Sequence, residues 1–496
     1  MGREDPSSVP ENVTDGRGPA ARMYCFVMTL NSESSSPAVD VDALRSAVAA
    51  DFPRTVEQLK SLVSIPGIAW ASFDPERLNE SAEAVAGLIR GAGLSDVQIL
   101  RVDNNGKPGG PAVVARRPAQ AGKPTVLLYA HHDVQPPGDL SLWESEPFTA
   151  TERNGRLYGR GAADDKAGIM AHIGAIRALD EVLGENSGVG ITLFIEGEEE
   201  AGSPTFRDFL ETYRDLLEAD VIVVADSGNW KVGVPALTTS LRGVVDGTFE
   251  VQVLDHAVHS GMFGGPVLDA PTLLARLIAT LHDDAGDVAV EGLVASDTAA
   301  VEYDEADFRA DSSVLDGVQL AGTGSIASRL WTKPALAIIG MDVTAVDVSS
   351  NTISPKARAR FSLRLAPGQD PAAAMAAVER HVLAHAPFGA KVTFTPGEQG
   401  QAFATDTSAP AARTALWALR EAWDGVEPVE SGMGGSIPFI ADLTELFPSA
   451  QILITGVEDP DSRAHSANES LDLGDFRNAI LAEALMLASL GQVSGS

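Results

Sequence analysis

The feature that most constrains this chain is a set of short apolar strands whose carboxyl ends all carry acids or histidine. Residues 111–115 (PAVVA), 125–130 (TVLLYA), 191–195 (ITLFI) and 220–225 (DVIVVA) read as buried strands. Helical spacing of apolar residues recurs at 41–63, 79–90 and 167–183. Strands and helices therefore alternate, which predicts an α/β layer with helices on both faces of a mixed sheet. In such sheets chemistry gathers at the carboxyl edge. TVLLYA runs into His131-His132-Asp133, ITLFI into Glu196-Gly197-Glu198-Glu199-Glu200, and DVIVVA into Asp226. A fourth segment, Gly159-Arg160-Gly161, leads to Asp164-Asp165-Lys166 just before the long helix.

Taken singly, each piece fits a solvated turn or a chance pairing. Together they place acids at the mouths of three buried strands of one sheet, where like charges repel unless a cation neutralises them. A two-metal centre does so, and it also lowers the pKa of water towards neutrality. His131 followed two residues later by Asp133 can make a ligand and the carboxylate that orients it. The single cysteine, Cys25, excludes a thiolate site and any intrachain disulfide. Oxygen and imidazole donors then suit zinc, manganese or cobalt. Strand alternation turns His132 away from the ligand face, and His172, on the apolar helix, reads as a packed core histidine.

With 496 residues the chain exceeds what one core comfortably holds. The texture changes near Arg242. Residues 243–254 alternate apolar and polar, 270–283 and 371–385 read as helices, and 335–339, 356–365 and 391–395 as strands. A small α+β domain, 242–396, is thus expected between two parts of a catalytic domain, 41–241 and 397–490. Residues 410–424 and 474–490 read as helices and 451–455 as a buried strand. Residues 1–40 are expected to form a disordered leader and 491–496 a disordered tail. In the leader, the apolar stretch 23–30 has no convincing cleavage site after it, and Met23 or Met28 are alternative starts. No apolar run reaches the ~18–20 residues of a membrane span. The formal charge of −33 argues against nucleic acid and against an anionic membrane surface. A cytoplasmic protein is expected.

The motifs YAHHDVQP (129–136), YGRGAADDKAG (158–168), FIEGEEEAGS (194–203), ADSG (225–228), HSGMFGG (259–265), RLAP (364–367), GGSIP (434–438) and AHSANE (464–469) follow one another in a familiar order. Over roughly residues 41–490 the chain resembles the aminoacylase/carnosinase family of co-catalytic zinc peptidases, which includes carboxypeptidase G. EGEEEAGS and HHDVQPP look most like its dipeptidase and carboxypeptidase members.

The resemblance implies a zinc-peptidase-like catalytic domain with an inserted lid that carries the dimer contact. It implies two divalent ions, Zn2+ before Mn2+ or Co2+. His131 and Asp226 would bind one, Glu200 and His465 the other, with Asp164 bridging and the Asp164–Asp165 peptide cis. Asp133 would orient His131, and Glu199 would be the general base that takes a proton from the bridging water and hands it to the leaving amine. His259, from the lid of a partner subunit, would polarise the scissile carbonyl. Arg364, Thr352 and the backbone of Gly434, Gly435 and Ser436 would contact substrate. The implied reaction is hydrolysis of a dipeptide or short peptide, with an N-acyl amino acid deacylase as the alternative. A non-catalytic metal-binding homologue would be expected to have lost the base or a ligand, whereas Glu199 and all five ligands are present.

Overall fold

The computed structural model describes residues 39–104, 106–299, 301–435 and 438–492. Two sheets organise them. The larger has nine strands, and its centre is the parallel set Gly190–Glu196, Thr125–His131, Val221–Val224 and Gln451–Ile454. Val, Ile, Leu and Phe fill these strands because both faces are covered, the setting in which parallel strands read as continuous apolar runs. Alternate residues serve opposite cores. Val126, Leu128 and Ala130 pack with the helices Val41–Val63, Lys166–Val182 and Leu473–Gln492, while Leu127 and Tyr129 pack with Phe206, Phe209 and Phe439. Tyr129, Phe194, Phe206 and Phe439 interlock as edge-on, tilted and stacked rings directly beneath the strand mouths.

Register decides what meets at the carboxyl edge. Tyr129 pairs with Phe194 on one side and Val224 on the other, and His131 pairs with Glu196. Two residues beyond Val224, Asp226 comes level with His131. Gly456 admits the close approach of the next strand's exit, since a Cβ there would lie 1.5 Å from the carbonyl oxygen of Ser227.

The smaller sheet is antiparallel, in the order Ala335–Asp342, Lys356–Leu365, Gly243–Gln252, Lys391–Gly400. Its central strand alternates buried and half-exposed residues along its whole length. It has a core of its own, built from Val245, Phe249, Val251, Phe361 and Leu363 with the helices Ala270–Ala279 and Pro371–Ala384. Asp269 and Asp370 cap these helices, each with proline in the first turn. Between the sheets' segments lie two short helices that the sequence reading lacked, Glu305–Ser312 and Ile326–Trp331.

Both chain ends differ slightly from expectation. Asp40, counted with the leader, caps the first helix by accepting from the Ala43 N–H at 3.0 Å. The last helix runs to Gln492 and buries Gly491, so residues 491 and 492 are structured rather than tail. Residues 1–38, with Cys25, and 493–496 lie outside the described residues. Among the described residues no helix is long and apolar enough to cross a membrane.

Candidate metal centre

The five residues expected as ligands fall into two groups that share Asp164. His131, Asp164 and Asp226 form one, and Asp164, Glu200 and His465 the other, with donor atoms in each within 4.8 Å of one another. Asp164 sits between two imidazoles. Its Oδ1 lies 3.0 Å from His131 Nε2 and its Oδ2 lies 3.0 Å from His465 Nε2. His465 Nε2 is also 3.2 Å from Glu200 Oε2. The Asp164–Asp165 peptide is cis.

Burial falls steadily across the cluster. The His131 side chain is fully buried, Glu199 is 22% exposed and His465 is 59% exposed. The centre therefore has a closed floor at the strand ends and an open side at Glu199 and His465.

The electrostatics are those of a donor set that draws cations. Burial pushes Asp226 up to about 6 against the opposing pull of His131. Burial likewise pushes Glu199 up to about 9, with His131 opposing and Asp226, Glu196 and Glu200 adding to the rise. Burial disfavours charge on His131, yet its bonds to Asp133 and Asp164 outweigh that and hold it well above the usual imidazole range. Hydrogen bonds to Asp164 and Glu200 raise His465 to about 11. Burial would raise Asp164, but the two imidazoles hold it below the carboxylate range. Paired imidazoles and carboxylates around one shared aspartate, without sulfur, fit two borderline divalent ions.

The supporting shell is extensive. Asp133 is fully buried, and its backbone carbonyl lies 3.1 Å and its Oδ1 3.4 Å from His131 Nδ1. The same carboxylate accepts from the backbone N–H of Glu199 at 3.1 Å and of Glu200 at 3.0 Å. One residue thus orients a candidate ligand and pins the turn that carries the candidate base. Gln135 donates to both oxygens of Glu200, from its backbone at 3.1 Å and its side chain at 2.7 Å. Asp165 accepts from the His131 N–H at 3.1 Å, while Lys166 points away and donates to the carbonyls of Leu62 and Ile65. His132 faces the Pro111 carbonyl at 2.7 Å, and burial lowers it to about 4, as its place off the ligand face requires. His172 is buried between Glu483 and the Tyr129 carbonyl.

The expected substrate contacts lie elsewhere. His259 and Thr352 are cross-strand partners in a two-stranded ribbon, and both are exposed. His259 Nδ1 accepts from the Gly261 N–H at 3.0 Å, so its Nε2 carries the proton. Among the described residues neither side chain hydrogen-bonds to the metal-centre cluster. Arg364 is on the Lys356–Leu365 strand, paired with Val244. Gly434 accepts from Arg242 Nε at 3.2 Å, Gly435 follows it, and Ser436 lies outside the described residues.

One residue escaped the sequence reading altogether. Glu469, the last residue of AHSANE, is fully buried and accepts from the N–H groups of Gly161, Ala163 and Asp164. Its motif stands out in the sequence, but nothing there marks this acid as buried.

The family model for peptidase family M20/M25/M40 matches residues 127–489. A cysteinylglycine-S-conjugate dipeptidase of Corynebacterium striatum is 35% identical over 446 residues, covering 88% of this chain and 96% of the relative. The crystal structure of human carnosine dipeptidase 1 superposes with a TM-score of 0.71 at 25% identity, covering 92% of this chain and 100% of that one. An M20 family metallo-carboxypeptidase from Sulfolobus solfataricus shares the fold, with a TM-score of 0.71 at 23% identity over 88% of this chain and 99% of its own. The chain belongs to peptidase family M20/M25/M40 and is a hydrolase of that family.

Proposed function

We propose that this protein is a two-metal dipeptidase that cuts the peptide bond of dipeptides or short peptides. The observation that carries this reading is the placing of Glu199. Its backbone is pinned by Asp133, and its Oε2 lies 3.9 Å from His131 Nε2 on the open side of the cluster. Its carboxylate has no hydrogen-bond donor among the described residues. The names of the similar proteins support the substrate class.

His131 and Asp226 would hold one ion, Glu200 and His465 the other, and Asp164 both. When bound, two divalent ions supply Lewis acidity and make water a nucleophile near neutral pH. We favour Zn2+ on the donor set, with Mn2+ and Co2+ as alternatives. Glu199, held on the open side of the cluster, would take a proton from water and pass it to the leaving amine nitrogen. Asp133 keeps His131 in one tautomer and orientation. His259 would polarise the scissile carbonyl through its Nε2–H. Arg364, Thr352, Gly435 and Ser436 would position the substrate, with Arg364 gripping its carboxylate.

The domain reading goes with this. Residues 41–241 and 397–490 would form the catalytic domain, and 242–396 a lid that makes a homodimer and lends His259 to the partner. Ile339 and Met341, exposed on the edge strand Ala335–Asp342, support such a contact. A cytoplasmic location suits a peptidase of this kind.

A panel of free dipeptides and N-acyl amino acids, incubated with protein loaded with zinc, manganese or cobalt and read by mass spectrometry, tests the reading. Free dipeptides should be cleaved first. Preferential release of acyl groups would point to the deacylase alternative, and cleavage of neither class would sink the hydrolytic assignment to these substrates.

A further inference from the structure

We propose that Glu469 is the positioning residue that ties Asp164 to His465 and so sets the second metal position, the one made by Asp164, Glu200 and His465. The inference rests on the two-metal reading and adds a residue to which that reading gives no role.

Asp164 and His465 are about 300 positions apart in sequence and reach the cluster on two separate loops. The His465 loop has little regular structure to hold it. Arg463, His465 and Asn468 all adopt left-handed backbone conformations, with φ of 55°, 60° and 61°. Its position must therefore come from tethers: Asn468 bonds to the backbone of Leu142 and Glu144, and Glu469, four residues after His465, supplies the ones that run to the Asp164 loop. Glu469 Oε1 accepts from the N–H of Ala163 at 3.0 Å and of Asp164 itself at 3.1 Å. Its Oε2 accepts from the N–H of Gly161 at 3.1 Å and from Arg160 Nη1 at 2.6 Å. Its own carbonyl accepts from the Gly159 N–H at 3.0 Å. Arg160, also buried, closes the circuit by donating to the Ser466 carbonyl at 3.2 Å.

A buried carboxylate is costly unless paired, and this one is paired on every side with donors from the Asp164 loop. The arrangement fixes the backbone of Asp164 from the His465 side. The first metal position depends on it less. Its His131 and Asp226 leave adjacent strand ends held in register by the sheet, and Asp133 orients His131 independently. A change at Glu469 should therefore act on one ion more than on the other.

The test is metal binding by the full-length protein, stripped of ions and titrated with Zn2+ or Co2+ by calorimetry, with bound metal counted after desalting. Wild type should take up two equivalents. Glu469→Ala should keep one ion near wild-type affinity and weaken the second about 10–100-fold, the usual size of an effect transmitted through a ligand's supporting residues. Glu469→Gln keeps the shape and one acceptor oxygen, so it should lie between the two. If Glu469→Ala fails to fold, Glu469→Gln carries the comparison. A lowered melting temperature with both affinities unchanged, or equal weakening of both ions, overturns the proposal. Wild type binding fewer than two ions overturns the two-metal reading and this inference with it, a result visible before any variant is made.

Discussion

At the carboxyl edge of the nine-stranded sheet, His131 and Asp133 are fully buried, and Asp133 accepts from two backbone N–H groups of the turn it faces. On the ribbon beside the four-stranded sheet, His259 and Thr352 are exposed and hydrogen-bond to residues two positions away. The first region is preorganised. Its polar groups are placed before any ligand arrives, by register, by the aromatic layer beneath and by paired carboxylates. The second offers reactive side chains on a surface whose edge strand carries exposed Ile339 and Met341. The contrast teaches a division of labour. On the proposed reading, metal binding would be a property of the single chain, whereas the substrate grip would rely on the ribbon residues His259 and Thr352 and on whatever covers them.

The largest test of this contrast is removal of the ions. Chelation should abolish hydrolysis, a loss of more than about 10³-fold, and added zinc should restore it. Next, His259→Ala should lower kcat by about 10²-fold or more, the scale of a lost carbonyl-polarising donor, while the protein still binds two ions. Ile339→Lys, read by light scattering and kinetics together, should give a monomer with a similar loss. A fully active monomer would show that His259 does not act across a dimer. Asp133→Ala strikes the preorganised region instead, and calorimetry should find metal affinity down about 10–100-fold.

The smallest effect concerns stability within the buried region. Burial would lower the His172 imidazole, but the Glu483 carboxylate and the Tyr129 carbonyl outweigh it and raise the group. Stability from a raised histidine is complete below its unfolded value of about 6.5 and is lost as pH climbs through the folded value. Glu483→Gln should therefore cost about 1–3 kcal/mol in urea melts near pH 6. The gap to wild type should narrow above about pH 6.5.

What the sequence disclosed follows the same division. Strand mouths were legible because continuous apolar runs identify buried parallel strands, and register then brings Asp226 level with His131 without any side-chain detail. Asp164 stands out in the sequence as an acid before the long helix, but its bridging role and the place of His465 come only through motif resemblance, since no local pattern joins loops so far apart. Glu469 stayed hidden because burial of an acid is a tertiary fact. The Val258–His259 and Thr352–Ile353 ribbon was missed for a related reason, as two-residue strands carry no periodicity. The short helices Glu305–Ser312 and Ile326–Trp331 lie in a stretch rich in Asp, Ser and Gly, where capping contacts rather than apolar spacing make the helix.

The central claim is that Glu199 makes a metal-binding protein into a peptidase. Glu199→Gln, loaded with zinc and compared with wild type on a cleaved dipeptide, tests it most directly. Two bound ions are expected in both proteins, with a fall in kcat of about 10²–10⁴-fold in the variant. Undiminished turnover with both ions in place would contradict it.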